Sequence, residues 1–268
     1  MKVNFLIIGA AKSATTSLSD GLAQHPDICF SQPKEPQFFS KTNWRHHISA
    51  YHALFTSKAK LYGEGSTNYT KYPSFNKQIH TDIFEYNPEM KLIYIMRNPI
   101  DRITSHYTHT YNRGYEHMQD INEAVFQNEH YISTSKYAKQ IIPYIEQFGK
   151  EHVLLLFFED FITQPQEVLN TVYRFLKIDQ LDIDISSINS NKSFNRHVLH
   201  YKYDNPKTIW EKLKKVGLII KNYFNRDFID SKPKLTGATK KHIINDVTDD
   251  IHAIEKLTNR DLSKWLEY

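Results

Sequence analysis

The stretch Gly9-Ala10-Ala11-Lys12-Ser13-Ala14-Thr15-Thr16-Ser17 decides the reading of this chain. It follows a short apolar run, Val3 to Ile8, and leads into a helical segment that ends near His25-Pro26. A strand, a loop of small residues with one lysine, then a helix is how a chain builds a phosphate cradle. Backbone N–H groups at a helix start point at the anion, and the helix dipole favours negative charge there. Lys12 adds a cation, and Ser13, Thr15, Thr16 and Ser17 add hydroxyl donors. The spacing is not that of a nucleoside triphosphatase loop, G-x-x-x-x-G-K-[ST], whose Ser/Thr holds magnesium. Lys12 stands three residues after Gly9, and the residue before it is Ala11, not Gly. A strand-to-helix turn with a solvated lysine is the plainer alternative.

A second segment bears on that choice. Lys91-Leu92-Ile93-Tyr94-Ile95-Met96 is a short apolar run, suited to a strand buried on both faces. It ends in Arg97-Asn98-Pro99-Ile100-Asp101-Arg102-Ile103-Thr104-Ser105-His106-Tyr107. An arginine at a strand's carboxyl end can fork onto a phosphate. Pro99 suits the first turn of a helix, which would carry Ser105 as a second donor. Arg102, about one turn earlier, would face the anion or brace the loop.

The two segments resemble, in order and separation, the 5′-phosphosulfate loop G-x-x-K-[ST]-x-T-[TS] and the 3′-phosphate motif R-[ND]-P-x-x-R-x-x-S of sulfotransferases that use 3′-phosphoadenosine 5′-phosphosulfate (PAPS). Further segments are similar to the bacterial and glycosaminoglycan-type members. These are His25-Pro26-Asp27 with Lys34-Glu35-Pro36-Gln37-Phe38-Phe39, Gly63-Glu64-Gly65-Ser66-Thr67-Asn68-Tyr69, and the run Val153–Phe158 closed by Glu159-Asp160. The similarity covers about residues 3–200.

The resemblance implies transfer of a sulfonate group from PAPS to a hydroxyl acceptor, a carbohydrate or a glycolipid, with PAPS as cosubstrate and no metal. It implies Lys12 as electrophilic stabiliser and Glu35 as the base that takes the acceptor's proton. His46, His47, His106 and His109 are the other candidate bases. Lys12, Ser13, Ala14, Thr15, Thr16, Ser17, Arg97 and Ser105 would bind the cosubstrate. Tyr137 would either stack on adenine or pack its helix, and Arg196 would belong to a late basic loop over the 3′-phosphate or be a surface residue. The alternatives to a sulfotransferase are a P-loop kinase-like phosphotransferase and a non-catalytic nucleotide-binding protein. Two positions depart from the pattern. Ala14 stands where many relatives have glycine, a costly choice if that position needs positive φ. Gly65 stands where glycosaminoglycan enzymes carry a lysine, so one cation near the reacting sulfonate is missing.

Alternation of apolar runs and helical segments predicts a single α/β domain over 1–268, P-loop-like, with a central parallel sheet flanked by helices. Its nucleotide-binding core is expected at about 3–200 and a helical portion at about 205–268. Strands are expected near 4–9, 28–30, 61–64, 91–97 and 152–158. Helices are expected near 16–24, 46–57, 75–86, 99–112, 120–128, 135–148 and 165–176, with a polar loop at 186–205. Residues 207–224 read as a helix and 237–266 as terminal helices. The segment 207–226 is basic and amphipathic. It reads as a helix packed on the core, with weak contact to a membrane surface or an acidic glycan as the other reading.

With 40% hydrophobic residues in 268, the chain can bury a core without staples. The single Cys29 excludes an intrachain disulfide and points to a reducing compartment. The net charge of +4 is mild: it suits an anionic cosubstrate and does not point to nucleic acid. No apolar run is long enough to span a membrane. The location expected from this is the cytoplasm, in a prokaryote.

Overall fold

The computed structural model describes residues 1–75, 78–184, 208, 210 and 228–267. Five strands, β1 (Phe5–Gly9), β2 (Ile28–Phe30), β3 (Leu61–Gly65), β4 (Lys91–Met96) and β5 (Val153–Phe157), form one sheet in the order β2-β3-β1-β4-β5. Every pairing is parallel. The uninterrupted apolar runs follow from this, because both faces of the sheet are covered. Alternate residues of one strand feed two cores. Leu6 and Ile8, with Leu92, Tyr94 and Met96, face one side; Phe5 and Ile7, with Ile93 and Ile95, face the other.

Helices α1 (Thr15–Leu22), α2 (Ile48–His52), α3 (Ile79–Tyr86), α4 (Pro99–Asn112), α5 (Ile121–Gln127), α6 (His130–Ser133), α7 (Tyr137–Phe148), α8 (Phe158–Thr163), α9 (Pro165–Leu176) and α10 (Gly237–Thr258) are α-helices of the described residues, with short 3-10 turns among the connections. Helix α9 buries Val168, Leu169, Val172, Tyr173 and Leu176 beside Leu18 and Leu22 of α1 on one face of the sheet. Helix α7 and the inward stripe of α10, Ile243, Val247, Ile251 and Ile254, lie in the opposite core. That stripe has helical spacing, so α10 belongs to the same folded unit as the sheet.

The strands fall within one or two residues of their expected places. The helices differ more: the one expected over 75–86 begins at Ile79. The segment expected as a helix over 46–57 is a 3-10 turn at Trp44–His47 followed by the short α2. The strand expected to reach 158 ends at Phe157, and Glu159-Asp160 lie in the first turn of α8, where carboxylates suit the helix dipole. The expected loop at 186–205, the expected helix at 207–224 (Thr208 and Trp210 apart) and Arg196 lie outside the described residues.

The chain leaves β1 for the sheet edge at β2, returns to β3 beside β1, then crosses to β4 on β1's other side. The strand order thus reverses around β1. In open parallel sheets, ligands bind outside the carboxyl ends of the strands at such a point. The segments after β1, β3 and β4 all end there.

Candidate active site

Gly9 closes β1 where no side chain fits: a Cβ there would stand 2.1 Å from the Thr70 hydroxyl and 2.8 Å from the Tyr94 ring. The loop then turns through Lys12 at φ 72° and Ala14 at φ 63°. Position 14 therefore does need the left-handed conformation, and alanine bears it. Ala14 is the N-cap of α1 and offers no side-chain hydrogen bond. No acidic residue lies in the first turn. Helix α4 shows the contrast. Its N-cap Asn98 accepts from the amides of Ile100 and Asp101 at 3.0 and 3.3 Å. The amide of Asn98 itself donates to the Glu159 carboxylate at 2.9 Å. The start of α4 is thus satisfied from within the chain, while that of α1 has no side-chain cap.

Three donors at this place are buried without a partner: the Ser13 hydroxyl and the Nε atoms of Arg97 and Arg113. Such groups are costly to bury unless something hydrogen-bonds them. Arg97 leaves the end of β4 with its guanidinium over the Phe158 ring, 4.3 Å from the centroid. One of its terminal nitrogens donates to the Lys12 carbonyl at 3.4 Å. The fold thus brings the two segments together as neighbours. Helix α4 continues past them. Ser105, His109 and Arg113 follow at four-residue steps on one stripe, and His109 Nδ1 lies 3.3 Å from Lys12 Nζ.

Charge is concentrated here. Burial pushes the Lys12 amine down from 10.5 to about 8, and Arg113 and Arg97 push in the same direction. The carboxylate of Glu35 works against this, as it also does at Lys34 and Lys71. Burial likewise lowers Lys71 to about 8. Glu35 therefore sits among the three lysines on the Lys12 side of the molecule. The Lys34 amine donates to the Thr16 hydroxyl at the start of α1, and Lys71 donates to Asn68 Oδ1 at 2.8 Å. Surplus cations, three orphaned donors and an uncapped helix start fit a ligand with more than one anionic group. Among the described residues, no three His, Cys, Asp or Glu side chains come together as a cation site.

The other expected residues divide. Thr15 is buried, Thr16 accepts from Lys34, and Ser17 and Ser105 lie on α1 and α4 at the same strand ends. Tyr137 is completely buried; its ring packs near Tyr94 and Trp265, and its hydroxyl donates to the Arg97 carbonyl at 2.5 Å. The Tyr137 ring is thus part of the core beside Arg97. Arg102 ties α4 to the segment 131–135. It is fully buried and donates to Ser135 Oγ at 2.6 Å and the Tyr131 carbonyl at 2.5 Å. His106 is buried against Arg102, His130 and Tyr131. Burial first, then the Arg102 charge, hold its imidazole well below the ordinary range, hence neutral. His46 and His47 are exposed.

Lys34, Lys71, Arg113 and Glu64 were not among the residues expected at the site. Lys34 had a signal, standing directly before Glu35; Lys71 and Arg113 had none, because only the packing of their segments brings them to Lys12. At Gly65 the direction a side chain would take is occupied: a Cβ would meet the Ser19 hydroxyl of α1 at 3.1 Å.

Comparison with known proteins agrees with this architecture. A solved sulfotransferase from Alicyclobacillus acidocaldarius superposes over 100% of both chains with a TM-score of 0.73 at 24% identity. A mouse sulfotransferase crystallised with PAP superposes over 99% of this chain and 88% of its own, with a TM-score of 0.53 at 18% identity. Among curated proteins, 68% of this chain is 24% identical to the bifunctional heparan sulfate N-deacetylase/N-sulfotransferase 1 of Caenorhabditis elegans. Similarly, 67% is 26% identical to the mouse heparan sulfate glucosamine 3-O-sulfotransferase 3B1. The matches span only 23% and 47% of those proteins' lengths. The sequence model described as "Sulfotransferase domain" matches residues 2–258, and the chain belongs to that family.

Proposed function

We propose that the chain transfers a sulfonate group from PAPS to a hydroxyl of a carbohydrate or glycolipid. The observation that carries this is the convergence, at adjacent strand ends, of the uncapped start of α1, the orphaned Ser13 hydroxyl, Lys12 and Arg97. PAPS when bound supplies an activated sulfonate and leaves as 3′-phosphoadenosine 5′-phosphate. Positioning and electrostatics are then the chain's contribution, as in phosphoryl transfer. Lys12 and the amides at the start of α1 place positive charge where the 5′-phosphate would gain negative charge. Ser13, Thr15, Thr16 and Ser17 would line that end, while Arg97 and Ser105 would hold the 3′-phosphate. Glu35 takes the proton from the acceptor hydroxyl. Lys34, on Thr16, supplies a cation beside the loop where Gly65 has no side chain to give one. The heparan sulfate acceptors named for the relatives support a carbohydrate. No helix among the described residues is long and apolar enough to cross a membrane. The single cysteine supports placing the chain in a reducing cytoplasm.

The test is turnover of ³⁵S-labelled PAPS against a panel of glycans, glycolipids and small alcohols, with nucleotide binding followed by calorimetry. 3′-Phosphoadenosine 5′-phosphate should bind much more tightly than AMP, and Arg97→Ala should shrink that preference. Glu35→Gln should bind the nucleotide normally while losing about 10²–10⁴-fold in kcat, the range of a general base. Lys12→Ala should lose both rate and affinity. Equal affinity for the two nucleotides would remove Arg97 from the site; a Glu35→Gln enzyme with wild-type kcat would remove Glu35 as the base.

A further inference from the structure

Glu64, in β3, is a completely buried carboxylate with no cation bonded to it among the described residues. Three hydroxyls hold it instead. Ser66 Oγ donates to Oε2 at 2.7 Å, and the Tyr69 and Tyr51 hydroxyls donate to Oε1 at 2.6 and 3.4 Å. Two of these hydroxyls also accept. The Gln37 amide donates to Ser66 Oγ at 2.9 Å, and the Phe39 amide donates to the Tyr69 hydroxyl at 3.3 Å. The third, Tyr51, stacks its ring on Phe38 with centroids 4.0 Å apart. All three partners of Glu64 therefore touch the segment 37–39.

A hydroxyl has one hydrogen to give, and an ionised carboxylate can only accept. Glu64 thus takes the hydrogens of Ser66 and Tyr69 and leaves their lone pairs facing the backbone amides of the 37–39 segment. That segment needs holding, since Glu35 and Gln37 both have left-handed backbones, at φ 56° and 50°. Non-glycine residues keep such conformations only where their surroundings impose them.

We propose that Glu64 is a positioning residue for the transfer reaction: through Ser66, Tyr69 and Tyr51 it holds the 35–39 segment so that the Glu35 carboxylate faces Lys12 and the acceptor hydroxyl. This rests on the reading of Glu35 as the base. The burial of Glu64 beside Glu35 adds a cost to its charge, and its pKa is pushed up to about 7, mainly by burial. A buried carboxylate retained at that cost, with a chain of hydrogen bonds to one loop, acts on that loop.

The experiment is a double-mutant cycle on kcat, acceptor KM and nucleotide affinity with Glu35→Gln, Glu64→Gln and the two together. In Glu64→Gln an amide N–H₂ meets one of the donor hydroxyls, so that side of the relay must turn. We expect kcat to fall about 10–100-fold, the cost of a displaced catalytic group, with affinity for 3′-phosphoadenosine 5′-phosphate unchanged. Adding Glu64→Gln to Glu35→Gln should lower kcat no further, because the group being positioned is already disabled. Should Glu64→Gln not fold, Ser66→Ala, which cuts the link from Glu64 to the Gln37 amide, takes its place with the same expectations. Wild-type kcat in the Glu64 or Ser66 variant, or losses that multiply in the double variant, would overturn the proposal while leaving Glu35 as base. Wild-type kcat in Glu35→Gln overturns the base itself, and the positioning role with it.

Discussion

Lys12 is held at a cost that an anion would relieve. Burial and the charges of Arg113 and Arg97 lower its pKa from 10.5 to about 8. A bound phosphate favours the ammonium form, so binding in this range takes up a proton. The affinity for 3′-phosphoadenosine 5′-phosphate should therefore fall as pH rises through about 8, and calorimetry in buffers of different ionisation heat should show the uptake. Lys12→Arg, charged throughout, should flatten that dependence, with a residue of it left from Lys71, also lowered to about 8. An affinity constant from pH 7 to 9.5 would contradict this. Glu64 has the opposite sign: its pKa is raised from 4.5 to about 7. Its contribution to stability is complete below about pH 4.5 and lost as pH rises through about 7. Relative to Glu64→Gln, the wild type should lose on the order of 3 kcal/mol between those limits in denaturant titrations.

Among the elements, α1 and α7 carry the informative ends. The N-cap of α1 is Ala14 at φ 63°, a conformation glycine adopts without cost. Ala14→Gly should raise stability by about 0.5–1 kcal/mol, less than the full left-handed penalty because glycine also loses more backbone entropy. Nucleotide affinity should stay the same; a destabilised Ala14→Gly protein would show that the alanine methyl is worth more in packing than the strain costs. Helix α7 borrows its cap. Lys136, its N-cap, makes no side-chain cap bond, and the amides of Ala138 and Lys139 donate instead to the two oxygens of Asp250 on α10, both at 2.8 Å. Asp250→Ala should cost about 1–2 kcal/mol of stability in chemical denaturation, as for loss of a local cap. Because Tyr137 opens α7 and holds the Arg97 carbonyl, nucleotide affinity should weaken too, linking a residue far along the chain to the site.

For the molecule as a whole, a net charge of +4 conceals how unevenly charge is placed. Lys12, Arg97 and Arg113 reinforce one another beside Lys34 and Lys71, with Glu35 as the opposing charge among the lysines. Raising sodium chloride from 50 mM to 0.5 M shortens the screening length to a few ångströms. Binding of 3′-phosphoadenosine 5′-phosphate should then weaken several-fold, and that of AMP, with fewer charges, by less. Equal salt dependence for both would mean that the cluster does not read the second phosphate.

What the sequence determined on its own was local and periodic. The runs at Val3–Ile8, Lys91–Met96 and Val153–Phe157 are short and mostly apolar without alternation, which suits strands covered on both faces. Pro99 after Asn98 had to start a helix, because proline fits the first turn and asparagine caps it. The glycine-lysine loop and the arginine motif could be read for the same reason: each is a contiguous piece of backbone whose chemistry is written in adjacent residues. Only the tertiary structure decided what lies across from what. Lys71 and Arg113 reach Lys12 because β3 and β4 flank β1, an order no local pattern records. Tyr137 reaches the Arg97 carbonyl from within the core because its ring packs against Tyr94 and Trp265. The hydrogen-bond path from Glu64 to the Glu35 segment joins residues 29 positions apart through side-chain hydroxyls whose donor and acceptor directions exist only once both segments are packed. Contiguous chemistry is legible in a sequence because the covalent chain enforces it; these contacts are enforced only by burial.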